Sequence, residues 1–244
     1  MARPTLFSGC LSVNNKRLTT MNESSLANLK SLLPEFYQAI GETLIMVGVS
    51  SAVGIIVGGL LGIWLYTTAY GQIFANRPVH RILGTLVSFM RSFPFVILMI
   101  VVMPLTRLIV GTSFGPFAAS VSLSIAASFY FARLVEQNLK EVPRGVVEAA
   151  QAMGASPRTI IFKVLLSEAR SGLVLSITIL MIAILGESAA SGLIGGGGIG
   201  NLGIRYGHQR YMADVMAAVV VLLTVMVVII QSTGNWLSAK LNKR

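Results

Sequence analysis

Apolar residues gather in five separate stretches of this chain, each long enough to cross a bilayer. About 20 residues rising 1.5 Å each span a hydrocarbon core of roughly 30 Å, so long runs with almost no charge read as transmembrane helices. Residues 43–68 contain no charged side chain and are led by the polar segment 35–42. Residues 83–104 form a second stretch, interrupted by Arg91 and Pro94. The third, 116–132, ends at Arg133 and Glu136; the fourth, 171–191, contains Glu187; the fifth covers 215–239. A polar connection, 137–170, separates the third from the fourth, and a glycine-rich loop, 192–211, separates the fourth from the fifth. The pattern predicts an all-α, polytopic membrane protein of about five transmembrane helices. Its parts are an N-terminal extension (1–34), the membrane domain (35–239) and a basic tail (240–244).

Details within the spans sharpen this picture. Gly54, Gly58 and Gly62 recur every fourth residue after Ser50, a spacing of small residues that lets a second helix approach closely. Pro94 should kink the second span, which is tolerated where protein or water satisfies the freed carbonyl. Arg91 follows Arg77 and Arg81 and is expected to snorkel to the near surface instead of facing the bundle interior. Sixteen residues from Ser171 place Glu187 roughly 24 Å across the membrane. It either reaches headgroup water there or faces a subunit axis near Ser188 and pairs with Arg205 or Arg210 across an outer gate. Arg91, Ser92, Pro94, Glu187 and Ser188 are the candidate gate or pathway residues.

Composition supports a lipid environment. Hydrophobic residues make up 54% of the 244 and charged residues only 11%, against roughly 25% charged in a soluble domain. The net charge of +10 does not point to nucleic acid, because the basic residues flank the apolar runs as loop anchors. Most of the 19 Lys and Arg fall on one side, from Arg77 and Arg81 through the 137–170 connection to the tail. The positive-inside rule then puts the C-terminus in the cytoplasm and the N-terminus outside. Cys10 is the single cysteine, which excludes an internal disulfide, and no signal-like apolar stretch precedes it to suggest lipid attachment. The first 20 residues are polar, basic and unpatterned, which makes Met21 a candidate translation start.

The most informative segment lies in the 137–170 connection. Val147, Ala150 and Ala152 to Met153 form an apolar stripe on a short helix. Gly154 can supply a sharp turn, and Ser156-Pro157 can open a second helix with serine as N-cap and proline at its first position. Periodicity alone leaves this as an amphipathic linker on the headgroups or a docking element. The residue order says more: Glu148-Ala149-Ala150, then Gly154-Ala155-Ser156-Pro157-Arg158, then Val164-Leu165-Leu166 resembles the EAA loop of ATP-binding-cassette importer permeases. One departure is Ser167, where that family usually has proline. The likeness extends from about Leu33 to the end. Arg91-Ser92-Phe93-Pro94-Phe95, the segment 104–112, and Gly196-Gly197-Gly198-Ile199-Gly200 before Tyr206-Gly207 resemble the methionine-uptake permeases of that family.

The resemblance implies a bacterial inner-membrane permease that imports methionine, in either enantiomer or as a derivative, by alternating access. It implies a homodimer of five-helix subunits embedded in lipid, two ATPase subunits below, and a periplasmic or lipoprotein substrate-binding protein above. Glu148, Ala149, Ala150, Gly154, Ala155, Pro157, Arg158, Val164 and Leu166 would then form the coupling helix and its return into the membrane. No cofactor is expected in this chain, since ATP and Mg would be bound by the partner ATPase. A permease for another small amino acid and an ion-coupled secondary transporter are the alternatives. The latter usually shows internal repeats and midplane charges, of which Glu187 is the best candidate.

Other chemistry finds no support in the residues. Gly195-x-Gly197-x-x-Gly200 matches the dinucleotide fingerprint formally but follows a membrane helix instead of a strand. The chain has no G-x-x-x-x-G-K-[ST] loop to cradle nucleotide phosphates. His80 and His208 lack the spacing and company of a metal site, and no nucleophile, base and orienting group suggest an enzyme.

Overall fold

The structure, a computed structural model, describes the backbone of residues 6–241 and the side chains of residues 30–241. Side chains at Cys10 and Met21, and all of Lys243 and Arg244, lie outside the described residues. Helix α1 (Leu6–Val53) passes through a wide π-helical turn (Gly54–Gly58) into α2 (Gly59–Thr67). Then come α3 (Arg77–Ser92), α4 (Phe95–Val110) and α5 (Pro116–Lys140). Short helices α6 (Arg144–Ala152), α7 (Pro157–Thr159) and α8 (Leu166–Glu168) form the polar connection, with a π-helical stretch Ile160–Leu165 between the last two. Helix α9 (Arg170–Ser191) leads to α10 (Gly198–Leu202), and α11 (Ala213–Leu241) closes the chain.

Among the described residues, four helical stretches are long and apolar enough to cross a bilayer: Leu33–Thr67, Pro116–Lys140, Arg170–Ile194 and Ala213–Leu241. The expected second span is not one kinked helix. The chain breaks at Phe93 and Pro94, and α3 and α4 meet at 107°. Pro94 has no N–H and extended ψ, so it caps α4 instead of bending a continuous helix. The first span also starts at Leu33, ten residues earlier than the uncharged run suggests, because Glu35 and Glu42 find protein partners described below. The 192–211 segment is largely helical: a 3₁₀ turn (Gly192–Ile194), α10, and a π-helical turn (Gly203–His208) fill it.

Helix α5 is the central post, and its small residues explain why. Ala119, Ser120, Ser122, Ala127, Ser128 and Ala132 are buried along it. Ser120, Ser124 and Ser128 each donate to the carbonyl four residues earlier, at 2.6–2.7 Å. This satisfies each hydroxyl without reaching for a neighbour. The glycines at 54, 58 and 62 face this stripe. A Cβ on Gly54 would lie 2.7 Å from the Ala127 Cβ, one on Gly58 would collide with the Ser128 carbonyl, and one on Gly62 would lie 2.6 Å from the Ala132 carbonyl. In a regular helix a four-residue step overshoots a full turn by about 40°, so three such glycines would drift off the seam. The π-helical turn at Gly54–Gly58 absorbs that drift.

A second close seam joins α9 and α11, where a Cβ on Gly234 would collide with Thr178 and the hydroxyls of Ser171 and Ser238 meet at 2.9 Å. At the end of α5 nearest α6, Glu136 is 1% exposed and held by Arg133 and Lys140, each at 2.6 Å.

The α5 seam yields a direct test. Gly58→Val is expected to lower the stability of the purified protein by about 1–3 kcal/mol, the usual cost of overpacking, read as a fall in Tm in detergent. Gly59→Ala, whose new Cβ would meet only the Phe131 ring at 3.8 Å, should leave Tm unchanged. Equal behaviour of the two variants would remove the seam from the account of the fold.

Candidate functional site

The connection between α5 and α9 forms a knob at one end of the bundle. Val147 and Ala150 of α6 are buried beside Ile160, Ile161 and Leu165, which fixes the knob to the main core. The buried stripe stops there: Ala152 is exposed and Met153 is 80% exposed, so the expected apolar face does not continue to Met153. Helix α6 ends because Gly154 turns left-handed at φ +75, a conformation glycine adopts without a Cβ penalty. The turn is closed by Gly154 N–H to the Gln151 carbonyl at 2.9 Å and Ala155 N–H to the Ala150 carbonyl at 3.1 Å. The next helix opens as its residues dictate, with the Ser156 hydroxyl accepting from Thr159 N–H at 3.3 Å and Pro157 at the first position.

Glu148, Ala149, Gly154, Pro157 and Arg158 are all exposed on this knob, while Ala155, Val164 and Leu166 pack partly against the core. No atom lies within 4 Å of where a Gly154 Cβ would sit. The turn therefore presents a preformed, mixed apolar and charged surface, stiffened from beneath. Ser167 in place of proline leaves the helical path continuous to Glu168, and the chain bends at Ala169 before α9.

At the opposite end, a polar clasp ties the first span to the glycine-rich segment. Gly198 N–H donates to Glu42 Oε2 at 2.7 Å, and Ile199 N–H donates to Thr43 Oγ1 at 2.9 Å. Gln38 donates to the other oxygen of Glu42 at 2.9 Å, and the Tyr206 hydroxyl donates to Glu35 Oε1 at 2.6 Å. The hydrogen bond to the Glu35 carboxylate raises the pKa of this phenol above its ordinary value, with the guanidinium groups of Arg205 and Arg210 pulling the other way. The phenol therefore stays a donor at neutral pH. Glycine is required here for contact as well as turning: at φ +77, a Cβ on Gly198 would lie 2.7 Å from both Thr43 Oγ1 and Met46 Cε. No motif in the sequence marks this clasp. Its trace was the seven-residue spacing of Glu35 and Glu42, two turns apart on one helix face.

The candidate pathway residues do not converge. Arg91 sits with its guanidinium 5.6 Å from the centre of the Tyr130 ring. Tyr130 lies ten residues, about 15 Å, before the end of α5 at Lys140 and three before Arg133, so Arg91, itself exposed, sits towards the α6 end of the bundle. Ser92 donates to the Phe89 carbonyl at 2.7 Å and Pro94 caps α4. Ser188 points into the bundle, 1% exposed, and donates to the Leu185 carbonyl. Glu187 is half-buried and has no ion pair among the described residues. The expected partners Arg205 and Arg210 instead stack over Tyr206, at 5.2 and 4.6 Å from the ring centre. Among the described residues no group of His, Cys, Asp or Glu could hold a metal ion.

Comparison with known proteins agrees with this architecture. Residues 54–244 match the family model described as the inner membrane component of binding-protein-dependent transport systems. The chain is 47% identical over 206 residues to a probable D-methionine transport system permease of Vibrio cholerae, covering 84% of this chain and 92% of that protein. It is 42% identical to the methionine import system permease of Bacillus subtilis, covering 74% of this chain and 81% of that one. Inward-facing conformations of a methionine ABC transporter match with a TM-score of 0.86 at 42% identity, over 87% of this chain and 99% of that one. An amino acid ABC transporter crystallised with histidines shares the fold alone, with a TM-score of 0.73 at 17% identity. Matched by the family model over most of its length and by full-length relatives, the chain belongs to the family of inner membrane components of binding-protein-dependent transport systems.

Proposed function

We propose that this chain is the permease subunit of an ATP-driven methionine importer, a multi-pass inner-membrane protein with its N-terminus outside and its C-terminus in the cytoplasm. The observation that carries the substrate is the likeness, across most of the chain, to permeases named for methionine in Vibrio cholerae and Bacillus subtilis. The observation that supports the coupling role is the exposed turn at Gly154, anchored on the core and open to a partner. The chain performs no covalent chemistry; separate ATPase subunits bind ATP and Mg. Two copies of the chain form the translocation path, and a substrate-binding protein delivers ligand at the clasp end. Membership of this family speaks for the ATP-driven reading over an ion-coupled secondary transporter.

In this reading ATP draws the two ATPase subunits together, and the docked α6 turns carry that movement into the spans. Glu148, at the fifth position of α6, contributes charge to the docking surface, and Met153 with Ala149 contributes apolar contact. Closing the ATPase dimer shifts the equilibrium from an inward-open to an outward-open cavity, because the ATPase binds the two permease conformations unequally.

Two experiments test this. Cells lacking other methionine importers should take up labelled methionine only when this chain and ATP are present, and uptake should survive collapse of the proton gradient while ATP is maintained. Competition by lysine or phosphate, with none by methionine, would overturn the substrate. For the coupling turn, a left-handed φ costs a β-branched residue roughly 1–2 kcal/mol, so Gly154→Val should cut uptake about tenfold while the protein remains in the membrane. Gly145→Ala, in α6 with open space around it, should transport normally, and Glu148→Lys should lower recovery of the ATPase with the purified permease. Wild-type uptake by Gly154→Val would remove the turn from the mechanism.

A further inference from the structure

An apolar groove of about 500 Å³ runs between α1 and α11 on the outside of the bundle, and neither the transport cycle nor the coupling turn uses it. Leu33, Phe36 and Ile40 form one wall, Val221 and Val225 the other, and Ala218 leaves the space between them. Lys30 stands at its mouth, and among the described residues it has no ion-pair partner. We propose that this groove holds one acyl chain of an anionic phospholipid whose phosphate pairs with Lys30.

Depth, shape and charge each favour that occupant. Lys30 precedes the span at Leu33 by three residues, about 4.5 Å along the helix, which puts its ammonium at headgroup level. Ala218 and Val225 lie 5 and 12 residues below the start of α11 at Ala213, roughly 8–18 Å into the hydrocarbon. The groove therefore begins where phosphates lie and ends part-way down one leaflet, the reach of a single acyl chain. Tyr37, 73% exposed on its rim, has the amphipathic ring found at membrane interfaces. A second copy of this chain would need to place a helix in the groove beside an unneutralised lysine, whereas an anionic lipid fills the space and neutralises the charge together.

Occupancy would reach the clasp. Phe36, Ile40 and Leu222 line the groove, and the same side chains pack against the buried cluster of Ile199, Leu202 and Tyr206. A chain in the groove supports that cluster from the lipid side, so bound lipid and an ordered clasp stabilise each other by linkage.

The test is thermal unfolding of the purified complex of permease and ATPase in detergent, titrated with phosphatidylglycerol or phosphatidylcholine. Phosphatidylglycerol should raise Tm at lower concentration than phosphatidylcholine. Lys30→Gln should weaken the apparent affinity for phosphatidylglycerol about fivefold, equivalent to the ~1 kcal/mol of one lysine near anionic lipid, and leave phosphatidylcholine unaffected. Ala218→Phe, which fills the groove, should abolish the Tm gain from both lipids. Val220→Phe, at similar depth on an exposed site outside the groove, should keep it. Equal stabilisation of the wild type by the two lipids would overturn the proposal. So would an undiminished gain in Ala218→Phe, or cross-linking of residue 218 to a second copy of the chain.

Discussion

Inside a bilayer a polar group without a protein partner costs several kcal/mol, because no water is there to replace it. Much of this structure follows from that constraint. The serines of α5 turn their hydroxyls back onto their own helix, so a seam of small polar residues can be buried against glycine without loss. Glu136 lies between Arg133 and Lys140 instead of alone. Glu35 and Glu42 are tolerable at the start of the first span because a phenol and a backbone N–H meet them there. Among the described residues the unpartnered buried exceptions are the hydroxyls of Ser51 and Thr106 and one oxygen of Asp214.

The same constraint separates what the sequence made legible from what it hid. Apolar runs declare themselves through composition, so the long spans could be found without knowing what they touch. Their ends could not, since Glu35 and Glu42 look like a polar lead-in until their partners across 156 and 171 residues are known. Helix ends governed by local chemistry were readable: Gly154 and Ser156-Pro157 set their own backbone. Pro94 was readable as a disruption but not as a break, because whether a proline bends a helix or caps a new one depends on what waits to pack beyond it.

Of the candidate pathway residues, Arg91 and Ser188 show how tertiary context decides. Arg91 was expected to follow its basic neighbours, and the break in the chain after Ser92 sets it over the Tyr130 ring, three residues before Arg133 on α5. Ser188 neighbours Glu187 in sequence but is fully buried in the packing of α9, whereas Glu187 is only half-buried. Helical periodicity turns adjacent residues about 100° apart, so a short motif on a span seldom lines one cavity.

The two ends of the bundle differ in how they are joined to its middle. One continuous buried cluster links Val147, Ile160 and Leu165 beneath the α6 turn to Leu139 and Phe131 in α5 and on to Met46, Leu180 and Ile184. A close-packed interior is stiff and transmits strain, and such contiguity is what a mechanical coupling needs. The glycine-rich segment belongs to a second cluster with Ala39, Tyr206, Val215 and Val219. That segment is joined to the first span by the packing of Phe36, Ala39 and Ile40 and, near Glu42, Thr43 and Tyr206, by a few hydrogen bonds, each worth on the order of 1 kcal/mol, or somewhat more where a carboxylate accepts. Packed side chains move as a body, whereas directional bonds can break and reform singly. A movement imposed at the α6 turn would therefore have a packed path through the core, and at the far end it would meet the apolar contacts of Phe36, Ala39 and Ile40 together with the hydrogen bonds of the clasp.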